Sequence, residues 1–340
     1  MNILVYDVAA ENGGAVSILK QFYEEHKKDT NNHYFYLLSK VSLDDTDNIT
    51  VINVPEVKKG WLHRILFDNF GAKKYLKKYK IDKVLSLQNN VLPCFKGEQT
   101  VYVHNALPFC EYRFSFKEDK FLWVYQNLIG HLIKKSIAKA HRVIVQTEWM
   151  KKEILKRVKT RADKIEVSFP DVNLLPGYEY KEQEEKVFFY PANPSKFKNH
   201  RVILDACLKL KEQGINNYSV VFTLNGDETP EIKYIHDKAK EESLDFQWVG
   251  ALNREQVFEW YTRSILLFPS YIETVGLPIY EAMGVGCPVV ISNTVFAVAA
   301  TKEYDKALYF EFEDDDALGN ILKALVWGDI KALLRGNGRC

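Results

Sequence analysis

Short apolar runs rich in β-branched and aromatic residues recur along the chain at 2–6, 34–38, 50–54, 83–87, 100–104 and 143–146, and again at 187–190, 219–224, 246–249, 265–268, 288–291 and 307–310. Several are apolar without alternation, as expected of strands covered on both faces of a parallel sheet. Between them the spacing changes to that of helices. The helix expected from about Ala15 carries Ile18, Leu19, Phe22 and Tyr23 on one face, and the one from about Asn199 carries Val202, Ile203, Ala206 and Leu210. Strands alternating with helices in both halves predict two doubly wound, Rossmann-like parallel-sheet α/β domains. Around 168–186, FPDVNLLPGYEYKEQEEK mixes proline, glycine and charge like an interdomain linker, placing the domains at 1–170 and 171–340.

Two helical stretches carry a second possibility. Residues 61–80 set Leu62, Ile65, Leu66, Phe70 and Tyr75 against Arg64, Lys73, Lys74, Lys77, Lys78 and Lys80, and 121–141 runs from apolar and aromatic to basic. Helices facing the core with solvated basic faces account for both. The alternative is docking on an anionic membrane surface. Charge keeps that alternative open: the net charge of +1 conceals 28 Lys and Arg against 19 Asp and Glu in 1–170, a surplus of +9, and hence −8 in the remainder. No nucleic-acid motif accompanies the basic half.

Composition, 46% hydrophobic and 27% charged, is that of an ordinary globular protein. The start, MNILVYDV, lacks the basic and longer apolar regions of a signal peptide, and no apolar run is long enough to span a bilayer, so a cytoplasmic protein, peripheral on the inner membrane face at most, is expected. Cys94, Cys110, Cys207, Cys287 and Cys340 are scattered without metal-ligand spacing and read as reduced, Cys340 as a free thiol or a chain boundary.

Candidate chemistry centres on 264–292, SILLFPSYIETVGLPIYEAMGVGCPVVIS: a buried strand, a sharp loop, a helix starting near Gly276 to Pro278, and a second buried strand. A helix start offers N–H groups and a positive dipole end to an anion. Glu273, in the loop, and Glu281, about one turn inside the helix, stand eight residues apart and flank that seat. Carboxylates accept hydrogen bonds from hydroxyls, so the ligand suggested is a phosphate with polyol on both sides, as in a nucleotide sugar. The plainer reading is two exposed charges favouring a helix N-terminus.

The segment ETVGLPIYEAMGVGCPVV resembles the E-x7-E signature of retaining glycosyltransferases of the family 4 type, in the branch that serves bacterial polysaccharide synthesis. The resemblance extends along nearly all the chain and is strongest after Val187. It implies the GT-B architecture, two Rossmann-like domains facing a cleft. It also implies a nucleotide-diphosphate sugar as substrate, no other cofactor and no metal, and a saccharide or lipid-linked acceptor. By resemblance Glu273 meets donor-sugar hydroxyls, Glu281 holds the ribose, and the backbone of Thr274, Val275, Gly276 and Leu277 meets the diphosphate. Many relatives carry a small residue and an aromatic where Thr274 and Val275 stand, which bears on the identity of the sugar.

Other residues follow on the same footing. Lys198 matches the family's phosphate-binding lysine, while Asn193 stands where an arginine is usual. The turn Val249 to Leu252 occupies the base-binding position. Gly14 falls in a glycine pair facing donor and acceptor, although G-x-G-x-x-G is absent and a tight turn would explain it equally. His104, in VYVHNALPF, ends a strand and is implied to face the sugar and its phosphate. Without a carboxylate in an evident base or nucleophile position on the first domain, the implied chemistry is front-face substitution. Three other readings stand beside it: a nucleotide-sugar epimerase of the same fold, a nicotinamide-dependent dehydrogenase, and an inactive nucleotide-binding partner subunit. The missing glycine fingerprint weighs against the dehydrogenase.

Overall fold

The computed structural model describes residues 1–11 and 13–328; Cys340 lies outside them. The chain divides into two compact units, Met1–Pro170 and a second that begins at Asp171.

The first unit runs β1 (Asn2–Asp7), α1 (Gly13–Lys27), β2 (His33–Leu38), β3 (Ile49–Asn53), α2 (Trp61–Leu66), α3 (Lys73–Lys78), β4 (Lys83–Ser86), β5 (Glu98–Val103), α4 (Lys120–Val124), α5 (Gly130–Lys139), β6 (Arg142–Val145), α6 (Glu148–Arg157) and β7 (Ile165–Val167). Its seven strands are parallel in the order β3-β2-β1-β4-β5-β6-β7. Alternation across β1 sorts the core. Val5 joins Ile18, Leu19 and Tyr23 of α1 on one face, while Leu4 and Tyr6 join Phe67 and Ala72 on the other.

The second unit runs β8 (Lys186–Tyr190), α7 (His200–Glu212), β9 (Tyr218–Phe222), α8 (Pro230–Glu241), β10 (Phe246–Trp248), α9 (Arg254–Tyr261), β11 (Ile265–Phe268), α10 (Leu277–Val285), β12 (Val289–Ser292), α11 (Val295–Ala300), β13 (Ala307–Phe310) and α12 (Asp315–Val326). Its six strands, also parallel, lie in the order β10-β9-β8-β11-β12-β13. Every residue of β9, β11 and β12 is buried, which is why those strands read as apolar runs, broken only by the buried Ser219 and Ser292. Cys110, Cys207 and Cys287 are buried and free, Cys94 half-buried and free.

Two features depart from the sequence reading. Strand β7 and helix α11, three and six residues long, are too short to show a period. More consequentially, the apolar face of 61–80 does not face the core: Leu62, Ile65, Leu66 and Phe70 are 67%, 54%, 50% and 64% exposed. The helix buries Phe67 and Ala72 instead, and turns Arg64 inward over the Tyr6 ring, where it pairs with Asp68 at 2.9 Å. A π-helical turn, Phe67–Gly71, separates α2 from α3, and a second, Tyr125–Ile129, separates α4 from α5. Each π-turn inserts a residue and shifts the face that follows it, which a fixed 3.6-residue period cannot register. Among the described residues no helix is long and apolar enough to cross a membrane.

Asp7, closing β1, is 2% exposed; its Oδ1 accepts the Ala10 amide at 3.3 Å and its Oδ2 has no partner. Burial raises its carboxyl to about 7, against partial lowering by the Ala10 amide, Arg64 and Lys58. A raised folded pKa favours the protonated form, so its stabilising contribution is full below the ordinary carboxylate range and is lost as pH rises to about 7. Asp7→Asn should therefore match the native protein near about pH 4 and exceed it at about pH 8, by on the order of 1–4 kcal/mol. Urea unfolding at both pH values measures the gap; a gap that stays constant with pH would mean that Asp7 is ionised in the fold without cost.

Candidate active site

The second sheet reverses its winding between β8 and β11: the chain moves outward through β9 and β10, then returns and moves out the other way through β12 and β13. Connections diverge from such a point and leave the carboxyl ends of the two central strands uncovered, which is where open α/β sheets bind ligands. The loops leaving β8 and β11 are tied together there. The amide of Tyr271 donates to the Phe197 carbonyl at 3.1 Å, and the buried Ser270 hydroxyl oxygen lies 3.2 Å from the same carbonyl.

These ties bring Lys198 and Glu273 into an ion pair, with side chains 13% and 16% exposed. The Ser270 hydroxyl donates to the same Glu273 Oε1 at 2.8 Å, and the Lys198 ammonium lies 5.6 Å from the centre of the Phe268 ring. Buried Tyr190 fixes the backbone beneath by donating its hydroxyl to the Lys198 carbonyl at 2.7 Å. Asn199, left-handed at φ +59°, then turns the chain into α7 and donates its side-chain amide to the Phe312 carbonyl at 2.7 Å. Asn is among the few residues other than Gly that adopt this conformation readily. Asn193 has a local duty: its Oδ1 accepts the Ser195 amide at 3.0 Å, leaving the –NH2 end as the part that could donate to a ligand.

Glu281, one turn inside α10, is held differently. Arg254 lies 3.1 Å from its Oε1, and the hydroxyl of buried Tyr261 donates to its Oε2 at 3.4 Å. Burial raises its carboxyl, while Arg254 and then Tyr261 pull it down. Arg254 also donates to the carbonyls of Val172 and Asn173, at 2.5 and 2.8 Å. Neither Arg254 nor Tyr261 was identified from sequence. A signal existed for the first: an arginine at the first position of a helix opposes the dipole, and a residue placed against that preference usually has another partner.

Between the two carboxylates Thr274, Val275, Gly276 and Leu277 form the approach to α10. Val275 is buried, Leu277 is 36% exposed, and Gly276 sits at φ +74°, where a side chain would be strained. The Ile279 amide bonds back to the Gly276 carbonyl at 2.9 Å and Pro278 has no N–H, so anion contact there falls to the amides of 274–277. At the turn after β10, the Val249 amide is spent on the Phe222 carbonyl and the Gly250 amide on the Leu224 carbonyl, at 3.0 and 3.1 Å. A base read by amides at this turn would therefore use Ala251 and Leu252, with Val249 left its carbonyl.

The first sheet reverses between β1 and β4, and its sequence-identified residues lie at the same kind of place. Gly14 is inside α1, and a Cβ there would meet nothing within 4 Å, so the fold itself does not require glycine. His104 follows β5; its amide donates to Asn89 Oδ1 at 2.8 Å and its ring lies edge-on to Tyr102. Burial lowers its imidazole to about 4, so at neutral pH it exchanges hydrogen bonds without carrying charge. Asp7 and Gln88, at the ends of β1 and β4, were not identified from sequence, since nothing local distinguishes a polar residue that ends a strand in solvent from one buried there.

Residues 178–332 match the family model described as Glycosyl transferases group 1. The O-antigen chain mannosyltransferase RfbU of Salmonella typhimurium is 24% identical over 260 residues, 74% of this chain and 67% of that protein. Among solved structures, WaaG, a glycosyltransferase involved in lipopolysaccharide biosynthesis, aligns with a TM-score of 0.72 at 15% identity, covering 100% of this chain and 94% of that one. Sucrose-phosphate synthase of Thermosynechococcus elongatus gives 0.70 at 17% identity, covering 99% and 92%. Anabaena Alr3699/HepE in complex with UDP and glucose gives 0.67 at 15%, covering 99% and 93%. The structural likenesses show the fold, two Rossmann-like units as in GT-B glycosyltransferases, and the match to the glycosyl transferases group 1 model takes in both carboxylate clusters of the second unit.

Proposed function

We propose that the protein moves a sugar, with retention and without a metal ion, from a nucleotide-diphosphate donor to a saccharide or lipid-linked acceptor in cell-surface polysaccharide synthesis. The observation that carries this reading is the pairing of Lys198 with Glu273 at the switch point, with Glu281 eight residues on in α10. The roles of RfbU and WaaG support the polysaccharide setting, and the UDP and glucose bound to HepE support the donor class.

In this mechanism the diphosphate lies at the start of α10, with Lys198 beside it and the ribose diol on Glu281. The anomeric C–O bond to the diphosphate breaks as the bond to the acceptor oxygen forms on the same face. The acceptor proton passes to the departing phosphate oxygen. Side chains then act by positioning and by meeting the charge that develops on the leaving group. Lys198 reaches that charge from its pairing with Glu273, which orients the ammonium before the donor arrives.

Lys198→Ala should lower turnover on the order of 100- to 1000-fold, with a smaller loss of donor affinity, because Asn193 offers only a neutral donor where relatives place an arginine. Single-turnover and binding measurements separate the two effects; turnover within about tenfold of native, a loss of about 1.4 kcal/mol, would shift the role to Lys196 or Arg201.

The anomer of the product and activity in excess chelator test the chemistry. Retention with full activity is expected, and an inverted product or a strict metal requirement contradicts the proposal. Product formed without acceptor would point to epimerisation.

Removing Arg254 takes away the charge that holds the Glu281 carboxyl down, so in Arg254→Met that carboxyl should titrate at higher pH. Donor binding, which needs the carboxylate, should then fail on the acid side at a higher pH than in the native protein. Carboxyl 13C shifts and donor affinity across pH measure the two effects, and coincident acid limbs would remove Glu281 from the binding step.

A further inference from the structure

Glu273 is held by two donors on one of its two oxygens. The Lys198 ammonium and the Ser270 hydroxyl both meet Oε1, and among the described residues no hydrogen-bond or ion-pair partner meets Oε2. An ionised carboxylate accepts at both oxygens, so crowding both donors onto one leaves the whole capacity of the other unspent. With its side chain 16% exposed, Glu273 is within reach of a ligand. Glu281 is used differently, since Arg254 and Tyr261 occupy an oxygen each.

The two donors on Oε1 differ in what they can do while a reaction proceeds. Lysine carries a point charge on a flexible stem with three rotatable donors, and so can turn from one anion to another. In the proposed mechanism it turns from Glu273 to the charge on the departing diphosphate. Ser270 is fixed in place. It is fully buried, and its backbone is set between Pro269, whose ring locks φ, and Tyr271, whose amide is bonded to the Phe197 carbonyl at 3.1 Å and whose ring stacks on Phe312 at 4.8 Å. Its hydroxyl has one hydrogen and two acceptors in reach, Glu273 Oε1 at 2.8 Å and the Phe197 carbonyl at 3.2 Å. The carboxylate is nearer and charged and takes that hydrogen, while the carbonyl keeps the Tyr271 amide.

We propose that Ser270 is a positioning residue that holds the Glu273 carboxylate, with Oε2 free for a hydroxyl of the donor sugar, while Lys198 changes partner from Glu273 to the diphosphate. The assignment rests on the donor reading of Glu273 and Lys198, and adds how the first stays aimed when the second departs. A carboxylate tied only to the lysine would be released at the moment the lysine is needed elsewhere, and would then rotate into water or recapture the cation. A second donor that never leaves removes that conflict. Ser270 thus governs how the sugar is gripped, and Lys198 how the diphosphate is met.

The test titrates UDP and GDP and their glucose and mannose esters calorimetrically into the full chain. For the pair that the native chain binds best, it follows the ratio of the ester's dissociation constant to that of the diphosphate. Ser270→Ala should raise this ratio about tenfold while affinity for the diphosphate stays within about twofold, which also shows that the variant is folded. Lys198→Ala should weaken both ligands and leave the ratio within about twofold. In a Glu273→Ala background, Ser270→Ala should add less than about twofold, because the two residues act as one unit. A ratio unchanged in Ser270→Ala overturns the proposal. So does a shift in Lys198→Ala as large as that in Ser270→Ala, which would make the lysine the group that aims Glu273. An undiminished effect in the Glu273→Ala background, or an equal loss of diphosphate and ester, overturns it too by giving Ser270 a purely structural role. Failure of the native chain to bind either diphosphate, or a ratio unmoved by Glu273→Ala alone, would sink the donor reading itself, a result distinguishable from failure of the Ser270→Ala prediction alone.

Discussion

A parallel sheet wound in both directions must reverse somewhere, and everything functional in this chain depends on where it does so. Each βαβ crossover covers the strand ends it spans, so only at a reversal do two adjacent strands point their carboxyl ends into an uncovered crevice. The reversals fall between β1 and β4 and between β8 and β11. At the second, Lys198 and Glu273 are set by a single 3-10 turn, Lys196–Lys198, and by an irregular loop before α10, which Tyr190, Ser270 and Asn199 fix through backbone carbonyls. Such a connection is as well defined as its hydrogen bonds, which is how a short segment outside the sheet can present a cation with the precision of a strand.

The two carboxylates of the second unit show one residue type held in two ways. Glu273 meets an ammonium and a hydroxyl at the mouth of the crevice. Glu281 sits deeper, where burial raises its carboxyl and Arg254 and Tyr261 draw it back. A buried ion pair is weak evidence for stability, because desolvating both partners offsets much of their attraction. Two polar clusters kept at one switch point, where apolar packing would serve the fold as well or better, are therefore better explained by a ligand than by folding. The same reasoning applies to Asp7 and Gln88 at the first reversal, where polar atoms are buried without partners.

What could be read in the sequence follows from how far each signal reaches. Strands such as β9, β11 and β12 are buried on both faces and so announce themselves locally as apolar runs. Glu273 and Glu281 stood out because one short segment carries both. Arg254 and Tyr261 were not, because they approach Glu281 from a different helix, 27 and 20 residues earlier in the chain. The helical stretch 61–80 was legible as a helix but not in its orientation. Its apolar residues fall on one face under a 3.6-residue period, yet the buried face is set by Phe67, Ala72 and an inward Arg64, after a π-turn that the period does not contain.

Charge distribution completes the physical picture and limits what net charge can explain. The half that carries the proposed diphosphate seat has a net charge of −8, and the other half +9. A field of that sign would repel a nucleotide sugar if it acted at long range. At physiological ionic strength, however, it is damped over about 8 Å, and the ligand meets individual groups instead. In the second unit those are Lys198 and the amides at the start of α10, sheltered enough from solvent to act at short range. The surplus of the first unit is local in its turn. Lys96, Lys135 and Lys139 stand where the exposed apolar rim of Ile65 and Leu132 also stands, so the same surface combines attraction for anions with a place for hydrocarbon. A basic face alone would describe a solvated helix, and an apolar face alone a buried one. Found together on a rim that the fold leaves open, they describe a surface that water satisfies only in part.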